Sequence, residues 1–448
     1  MTPLNAERMQ AEAVAHLRAL VRINTTNPPG DERPAADYVA QVCAEAGLAV
    51  EVVESAPKRG NVVARLRGTG AARPLLFLSH LDVVPAEPAK WTHPPFGAEM
   101  ADGYVWGRGA VDSKLTTAAG LMVLLAYARH GSPLKRDLIL AATADEEGGG
   151  AANGARWMAE HRKDLIDAEY VINEGGGFPL AIGGKRFYVC QSAEKGGCQA
   201  DLCATGTPGH ASVPQDENAI LRLGEAIVRL GPGRLGFHVT ETSRRFFEGV
   251  AAAQDRPEDA RVLRDMLEER REPEAMRKLP TDGPTQLLLD AMLRNTATPT
   301  MLQAGLKRNV IPSEAVLSLS GRPLPGETQA GFCAELQAQV GDGVRVLDRG
   351  WRPGIESNPD APLFGALARA LQRHDPEGHV VPFLMTGGTD ACRLGALNAT
   401  IYGFLPMCYE PGVPYFDLCH GHDERVSEAS IAFGIRVLFD AVRELDGM

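Results

Sequence analysis

None of the eight cysteines in this 448-residue chain forms a Cys-x-x-Cys pair, and their spacing is irregular. A zinc knuckle is thereby excluded, and no disulfide framework can be read. Reduced thiols in a cytoplasmic protein are the expectation. Basic residues are in deficit, 46 Lys and Arg against 57 Asp and Glu, for a net charge of −11. That balance argues against nucleic acid as a partner, because phosphate binding needs a basic face. It does not bar small anions, since a site's local charge can oppose the overall sign. Long apolar runs are missing as well. The longest, AAGLMVLLAYA at Ala118–Ala128, is too short to span a bilayer, so no membrane partner is expected. The opening MTPLNAERMQAEAVAHLRAL lacks the basic-then-apolar order of a secretory signal. Internal repeats and low-complexity tracts are absent from the sequence. What remains is an ordinary globular composition, 44% hydrophobic and 23% charged, on a chain too long for one core. Two domains are expected.

The first part of the chain alternates helical patterns with short apolar runs. Residues 6–22 and 33–46 read as helices separated by the turn signal TTNPPG. Apolar runs follow at Leu48–Val53, Val62–Leu66, Leu75–Leu78, Leu138–Ala142 and Tyr170–Ile172, with helices at Leu115–Tyr127 and Ala151–His161 between them. Strands alternating with helices predict an α/β fold with a mostly parallel sheet. From about Gly196 the pattern turns polar and strand-like, and a charged stretch runs from about Ser243 to Arg294. Helices with one solvated face are the expectation there. The α/β pattern resumes after RPGIESNPDAP, with a helix at Leu363–Gln372, strands near Val380–Leu384 and Thr400–Phe404, and a last helix over Ile431–Leu445. The expected architecture is a three-layer sandwich catalytic domain, residues 1–190 and 353–448, interrupted by an inserted α+β lid or dimerisation domain at 191–352.

Acid and imidazole groups gather where the apolar runs end. LLFLSHLD delivers His80 and Asp82, LILAATADEEGGG delivers Glu146 and Glu147, and YVINEGGG delivers Glu174. Ligands of open α/β sheets bind beyond the carboxyl ends of the strands. Asp112, in GRGAVDSK, opens the following helix, and DLCHGHDERVS supplies His420 and His422. Singly, each has a duller explanation: Asp112 as a helix cap, the glutamates as loop acids, a histidine as a hydrogen-bonded core residue. Together they differ, because adjacent carboxylates at a buried strand edge repel and are costly to desolvate. Divalent cations offset that cost, and imidazole with carboxylate oxygen suits zinc.

The order H-x-D, GRGAVDSK, DEEGGG, NEGGG, H-G-H-D-E resembles the co-catalytic zinc family of aminoacylase and carboxypeptidase G. Succinyl-diaminopimelate desuccinylase and acetylornithine deacetylase belong to the same family. The similarity covers nearly the whole chain and is densest over HLDVVPAEPAKWTHPPFGAEMADGYVWGRGAVDSK. Position by position, it implies that Asp112 bridges two metals. His80 and Glu174 complete one site, Glu147 and His420 the other. Asp82 would accept a hydrogen bond from His80 and fix its tautomer, and Glu146 would be the general base. His420 rather than His422 stands four residues before Glu424, as the family's H-x-x-N-E pattern requires, with Asp423 where Asn is usual. In TGTPGHAS, His210 would be an oxyanion donor supplied across a homodimer. Asn309 and Arg322 would hold the substrate, the guanidinium as a fork for its carboxylate. The loop MTGGTDA (Met385–Ala391) would offer Gly387, Gly388 and Thr389 near the substrate.

The implied chemistry is amide hydrolysis of small peptides or N-acyl amino acids with a free carboxylate. Two metals lower the pKa of water held between them and polarise the carbonyl, while Glu146 moves the proton. Zinc, cobalt and manganese all suit the donor set. Exopeptidase, N-acyl amino-acid deacylase and biosynthetic deacylase of a diamino acid all fit this pattern. A catalytically silent metal-binding scaffold is a further alternative, against which the retained Glu146 argues. A phosphate loop is not favoured, since the glycines lack the G-x-x-x-x-G-K-S/T order and follow acids.

Overall fold

The computed structural model describes residues 6–131, 134–413 and 415–447; of the expected amino-terminal stretch, residues 1–5 lie outside them. The chain divides into two compact units. One takes the described residues up to Ser192, then Ser357–Val381 and those from Thr389 onward; the other takes Ala193–Glu356 and Pro382–Gly388.

In the first unit the strand Leu75–His80 lies between Leu138–Thr143 and Tyr170–Asn173, parallel to both. Thr400–Gly403 joins parallel to Tyr170–Asn173. Antiparallel strands flank this parallel centre, with Gly60–Leu66 and Ala49–Glu54 on one side and Lys185–Glu194 on the other. Leu75–His80 and Leu138–Thr143 are buried along their whole length, as continuous apolar runs require of central parallel strands. Helices pack on this sheet in a three-layer α/β arrangement. Lys114–His130 is buried at every position from Lys114 to Tyr127, so it is an interior helix rather than an amphipathic one. Gly120 lets it lie close to the sheet, because a Cβ there would come within 2.9 Å of Leu140 Cδ1. At its other end Tyr127 stacks on Phe439 of the helix Glu428–Asp446, with ring centroids 4.4 Å apart.

The second unit is α+β. Its antiparallel sheet runs Arg234–Phe237, Arg294–Ala304, Glu314–Arg322, Gly197–Thr205, Arg345–Arg352 in spatial order. The helices Ala219–Leu230 and Gln329–Val340 bury Leu223, Leu230, Phe332 and Leu336 against Leu202, Leu317 and Leu319 of that sheet. Asn218 and Thr328 cap these helices by accepting from Ile220 N and Gly331 N. The charged stretch folds into the helices Glu241–Ala252, Pro257–Asp265, Glu272–Lys278 and Gly283–Ala291. It has a buried side too, since Phe246, Phe247 and Leu263 are inaccessible. The sequence pattern left Pro382–Gly388 with the carboxyl-terminal part of the α/β domain, but this segment belongs to the second unit. Met385 O there accepts from Lys195 N at 3.0 Å, and Phe383 packs edge-on against Phe246. All eight cysteines are free. Among the described residues, no helix is long and apolar enough to cross a membrane.

Candidate metal centre

The carboxyl ends of three neighbouring parallel strands meet at one place in the first unit. His80 ends its strand, Asp145–Glu147 follow Thr143, and Glu174 follows Asn173. Asp112 precedes the interior helix, and His420 follows the short helix Tyr415–Leu418. Ligand atoms of His80, Asp112 and Glu174 lie within 4.8 Å of one another, as do those of Asp112, Glu147 and His420. Asp112 is common to both groups: its Oδ1 lies 3.0 Å from His80 Nε2 and its Oδ2 3.3 Å from His420 Nε2. His80 Nε2 also lies 3.2 Å from Glu174 Oε2, and His420 Nε2 lies 3.0 Å from Glu147 Oε2.

The hydrogen bonds on His80 test whether cations fit here. Its Nδ1 lies 2.9 Å from the main-chain oxygen of Asp82, an acceptor only, so Nδ1 carries a proton. Nε2 then faces two carboxylates with a lone pair unless a second proton or a cation lies between them. Without a cation the second proton is favoured. Burial opposes it, but Glu174 and Asp112 outweigh burial and hold the His80 pKa well above its ordinary value. Hydrogen bonds to Asp112 and Glu147 likewise raise His420 to about 10, while burial pushes Glu147 and Glu174 up. Two groups that share Asp112, each of one imidazole and two carboxylates with their ligand atoms converging, form a donor set suited to divalent cations. The residues present fit two of them.

Asp82 acts differently from the expectation. Its carboxylate Oδ1 lies 3.6 Å from His80 Nδ1, so the carbonyl, not the carboxylate, is the acceptor that sets the imidazole tautomer. The carboxylate instead accepts from Glu146 N and Glu147 N, each at 3.1 Å, and from Asn27 Nδ2 at 2.8 Å. It thus fixes the turn that carries both glutamates. Asp145, buried with φ 63°, starts that turn and accepts from Arg59 Nη2 at 2.7 Å and Asn27 Nδ2 at 2.9 Å. Glu147 points to His420. The Glu146 side chain makes no hydrogen bond or ion pair with any described residue. Burial first, then Glu174, Asp390 and Glu147, hold its pKa well above the usual range.

Sequence reasoning used Glu424 only to count spacing, but it organises the loop before Asp112. Fully buried, it accepts from Val111 N at 2.7 Å and Asp112 N at 2.9 Å on Oε1, and from Gly109 N at 2.9 Å and Arg108 Nη1 at 2.7 Å on Oε2. Asp423 accepts from Thr92 N at 2.7 Å and Thr92 Oγ1 at 2.8 Å, which ties the WTH segment to the His420 loop. His422 is exposed. Asn27 and Arg59 had no signal beyond a turn and a strand flank. The glycines after Glu174 are structural: a Cβ at Gly176 would lie 2.2 Å from Gly403 O. Thr389 Oγ1 accepts from Asn173 Nδ2 at 2.8 Å, beside Glu174.

The remaining candidates lie in the second unit. His210 pairs with Val310 in a short ladder, and Ala211 N donates to Asn309 O, so His210 and Asn309 are neighbours. Both are exposed. Arg322 ends the strand Glu314–Arg322. Gly387 and Gly388 follow the strand Gly378–Met385. A further group in this unit, His238, Glu327 and Glu335, places its ligand atoms within 4.8 Å. There Asn295 Nδ2 donates to both glutamates, and His238 Nε2 pairs with Glu335. Those bonds account for the group without an ion.

A model of the peptidase family M20/M25/M40 matches residues 76–444 of the chain. A probable carboxypeptidase S-like 2 of Dictyostelium discoideum is 31% identical over 369 residues, 79% of this chain and 68% of that protein. Human aminoacylase-1 is 26% identical over 435 residues, 95% and 93% of the two chains. The crystal structure of an M20 family metallo-carboxypeptidase from Sulfolobus solfataricus superposes with a TM-score of 0.70. It is 18% identical, with 98% of this chain and 100% of that one covered.

Proposed function

The chain belongs to peptidase family M20/M25/M40 and is a hydrolase, and from this premise we propose that it cleaves amide bonds of small peptides or N-acyl amino acids bearing a free carboxylate. The observation that carries the reading is the division between two consecutive glutamates. Glu147 is engaged with His420, whereas Glu146 is partly buried, makes no hydrogen bond or ion pair with a described residue, and is raised in pKa. A carboxylate so placed is suited to take a proton and return it. The related carboxypeptidase and aminoacylase by name support the two halves of the substrate class.

His80, Asp112 and Glu174 would hold one divalent cation, and Asp112, Glu147 and His420 the other, zinc by preference. When bound, two such cations acidify water and polarise the carbonyl. Glu146 takes the proton from the attacking water and delivers it to the departing amine. Asp82 keeps Glu146 aimed by holding its main-chain N–H. Asn309 and Arg322 bind the substrate, Gly387, Gly388 and Thr389 line its path, and His210 supports the developing oxyanion from a second copy. Exposed apolar side chains of the second unit, Ile220, Leu221 and Val228 on one helix and Met301 and Leu302 on one strand, support a homodimer. Eight free thiols support a cytoplasmic site of action.

The test is amine release from a panel of dipeptides and N-acyl amino acids, using chelated protein with and without zinc, cobalt or manganese. Metal-dependent hydrolysis is expected, and the preferred member separates exopeptidase from deacylase. Glu146→Gln should slow turnover by at least ~100-fold with metal still bound. Wild-type protein that binds metal and cleaves nothing on the panel counts against the reading and for a silent scaffold.

A further inference from the structure

Arg322, Gly197 and Arg352 form a row across three adjacent strands of the second unit. Gly197 pairs directly with Arg352 on one side. Cys198 pairs with Gly321 on the other, which sets Gly197 opposite Arg322. Residues opposite one another across strands share a face of the sheet, and two strand spacings separate the outer pair by about 10 Å. The residue between them has no side chain, and the nearest atoms a Cβ at Gly197 would meet are Arg352 Nε and Nη2, at 3.8 and 3.9 Å. Two guanidinium groups therefore flank an open slot.

Their charges are not matched. Arg352 Nη1 lies 3.3 Å from Glu194 Oε1, whose side chain is fully buried. Arg322 is partly buried and has no ion pair or side-chain hydrogen bond among the described residues. Burial and the like charge of Arg352 hold its pKa below the ordinary value, against the opposite pull of the Glu194 carboxylate. Arg322 and Arg352 outnumber the one carboxylate of Glu194, and Lys195 adds a further basic group near Arg322. Gly388 closes the slot, since a Cβ there would lie 2.3 Å from Arg352 Nη2.

We propose that Arg352 is a second carboxylate-binding residue, acting with Arg322 across the gap left by Gly197 to select substrates carrying one free carboxylate. The inference rests on the amide-hydrolase reading for its substrate and adds to it a residue and a charge rule. Glu194 orients Arg352 and offsets part of the positive charge, and a substrate carboxylate offsets what remains at Arg322. A neutral amide leaves the positive charge at Arg322 without a counter-charge.

The experiment compares N-acetylmethionine with its carboxamide on the metal-loaded protein, by kcat/KM and by calorimetric binding. Arg352→Gln should lower the acid-over-amide ratio by about 10- to 100-fold, mostly in KM or Kd, the size of one or two charge-assisted hydrogen bonds. Arg352→Lys should recover part of that ratio. Gly197→Val leaves every charge in place and fills the slot, and it should lower the ratio in the same direction. An unchanged ratio in both Arg352→Gln and Gly197→Val overturns the proposal, as does an equal loss for acid and amide, which marks a purely structural role. If wild type binds the acid in preference to the amide but cleaves neither, the hydrolase reading fails, and the binding ratio of the variants still decides the role of Arg352.

Discussion

Replacing Glu424 by Gln tests how the ligand loop is held. The wild-type carboxylate accepts four N–H groups, from Val111, Asp112, Gly109 and Arg108. Burial raises its pKa, yet a proton on either oxygen would face two donors, so the arrangement is that of an ionised group. The amide of Gln keeps the shape and turns one oxygen into a donor. Whichever way it rotates, two N–H groups lose their acceptor and meet another N–H. Arg108, 2% exposed, loses its carboxylate and keeps one carbonyl bond, to Gly421 O at 2.8 Å. A buried pair broken on one side costs about 3–5 kcal/mol, and each charge-assisted bond is worth about 1.5–3 kcal/mol, so the two routes agree. Because the lost bonds hold the main chain at Asp112, zinc affinity should fall as well, by about 10- to 100-fold. Urea unfolding followed by tryptophan fluorescence reads the first quantity, and competition with a chelator reads the second. A Glu424→Gln protein with an unshifted midpoint and zinc affinity within about twofold of wild type refutes the reasoning.

Metal removal gives a second expectation. Without cations the acids and imidazoles of the centre are held in unfavourable states, so chelated protein should unfold at lower urea. Zinc at about 100 times its Kd should restore about 2.7 kcal/mol; a midpoint indifferent to zinc speaks against the centre. A third concerns Lys195, fully buried in the second unit with Nζ donating to Arg294 O at 2.6 Å. Burial lowers its pKa to about 7, against about 10.4 in the unfolded chain. Between those values the unfolded chain binds more protons, so this lysine's cost to stability is complete below pH 7 and fades as pH rises towards 10. Lys195→Met should therefore gain on wild type most at pH 6 and least near pH 10, in denaturant melts across that range. A stability gap of constant size removes the argument.

The sequence made some of this legible because the physics is local. Leu75–His80 and Leu138–Thr143 are continuous apolar runs, and only a strand buried on both faces needs such a run. The polar residues at their ends are conspicuous for that reason, and His80, Glu146, Glu147 and Glu174 were found there. Asp112 and His420 stood out as acid and imidazole as well, but neither follows an apolar run, and their place in the ligand set came from the resemblance. What stayed hidden depends on contacts between distant segments. Glu424 meets Val111, and Asn27 meets both Asp82 and Asp145, through backbone and amide groups that every loop possesses. Asp82 shows the limit most clearly. Its spacing from His80 suggested a carboxylate–imidazole bond, but the main-chain carbonyl takes that place, and the carboxylate turns to the two glutamate N–H groups. The strand Gly378–Met385 was found as a strand, but its unit was not, because the Met385 bond to Lys195 is a main-chain bond that no side-chain pattern announces.

Why two adjacent glutamates can serve different ends follows from the turn they share. Consecutive residues of an extended strand would point to opposite faces, one of them away from the site. Here the strand stops at Thr143, and Asp145 takes the left-handed conformation, held by Arg59 and Asn27. The two oxygens of Asp82 then accept the two successive N–H groups, which fixes the main chain while leaving both side chains at the centre. The partners decide the rest. Glu147 meets an imidazole and is drawn into the ligand set. Glu146 is desolvated there and meets Glu174 and Asp390, which repel its charge, and both effects raise its pKa above the usual carboxylate range. The division of labour lies less in the pair Glu-Glu itself than in Asp82, which holds both, and in His420, which engages only one.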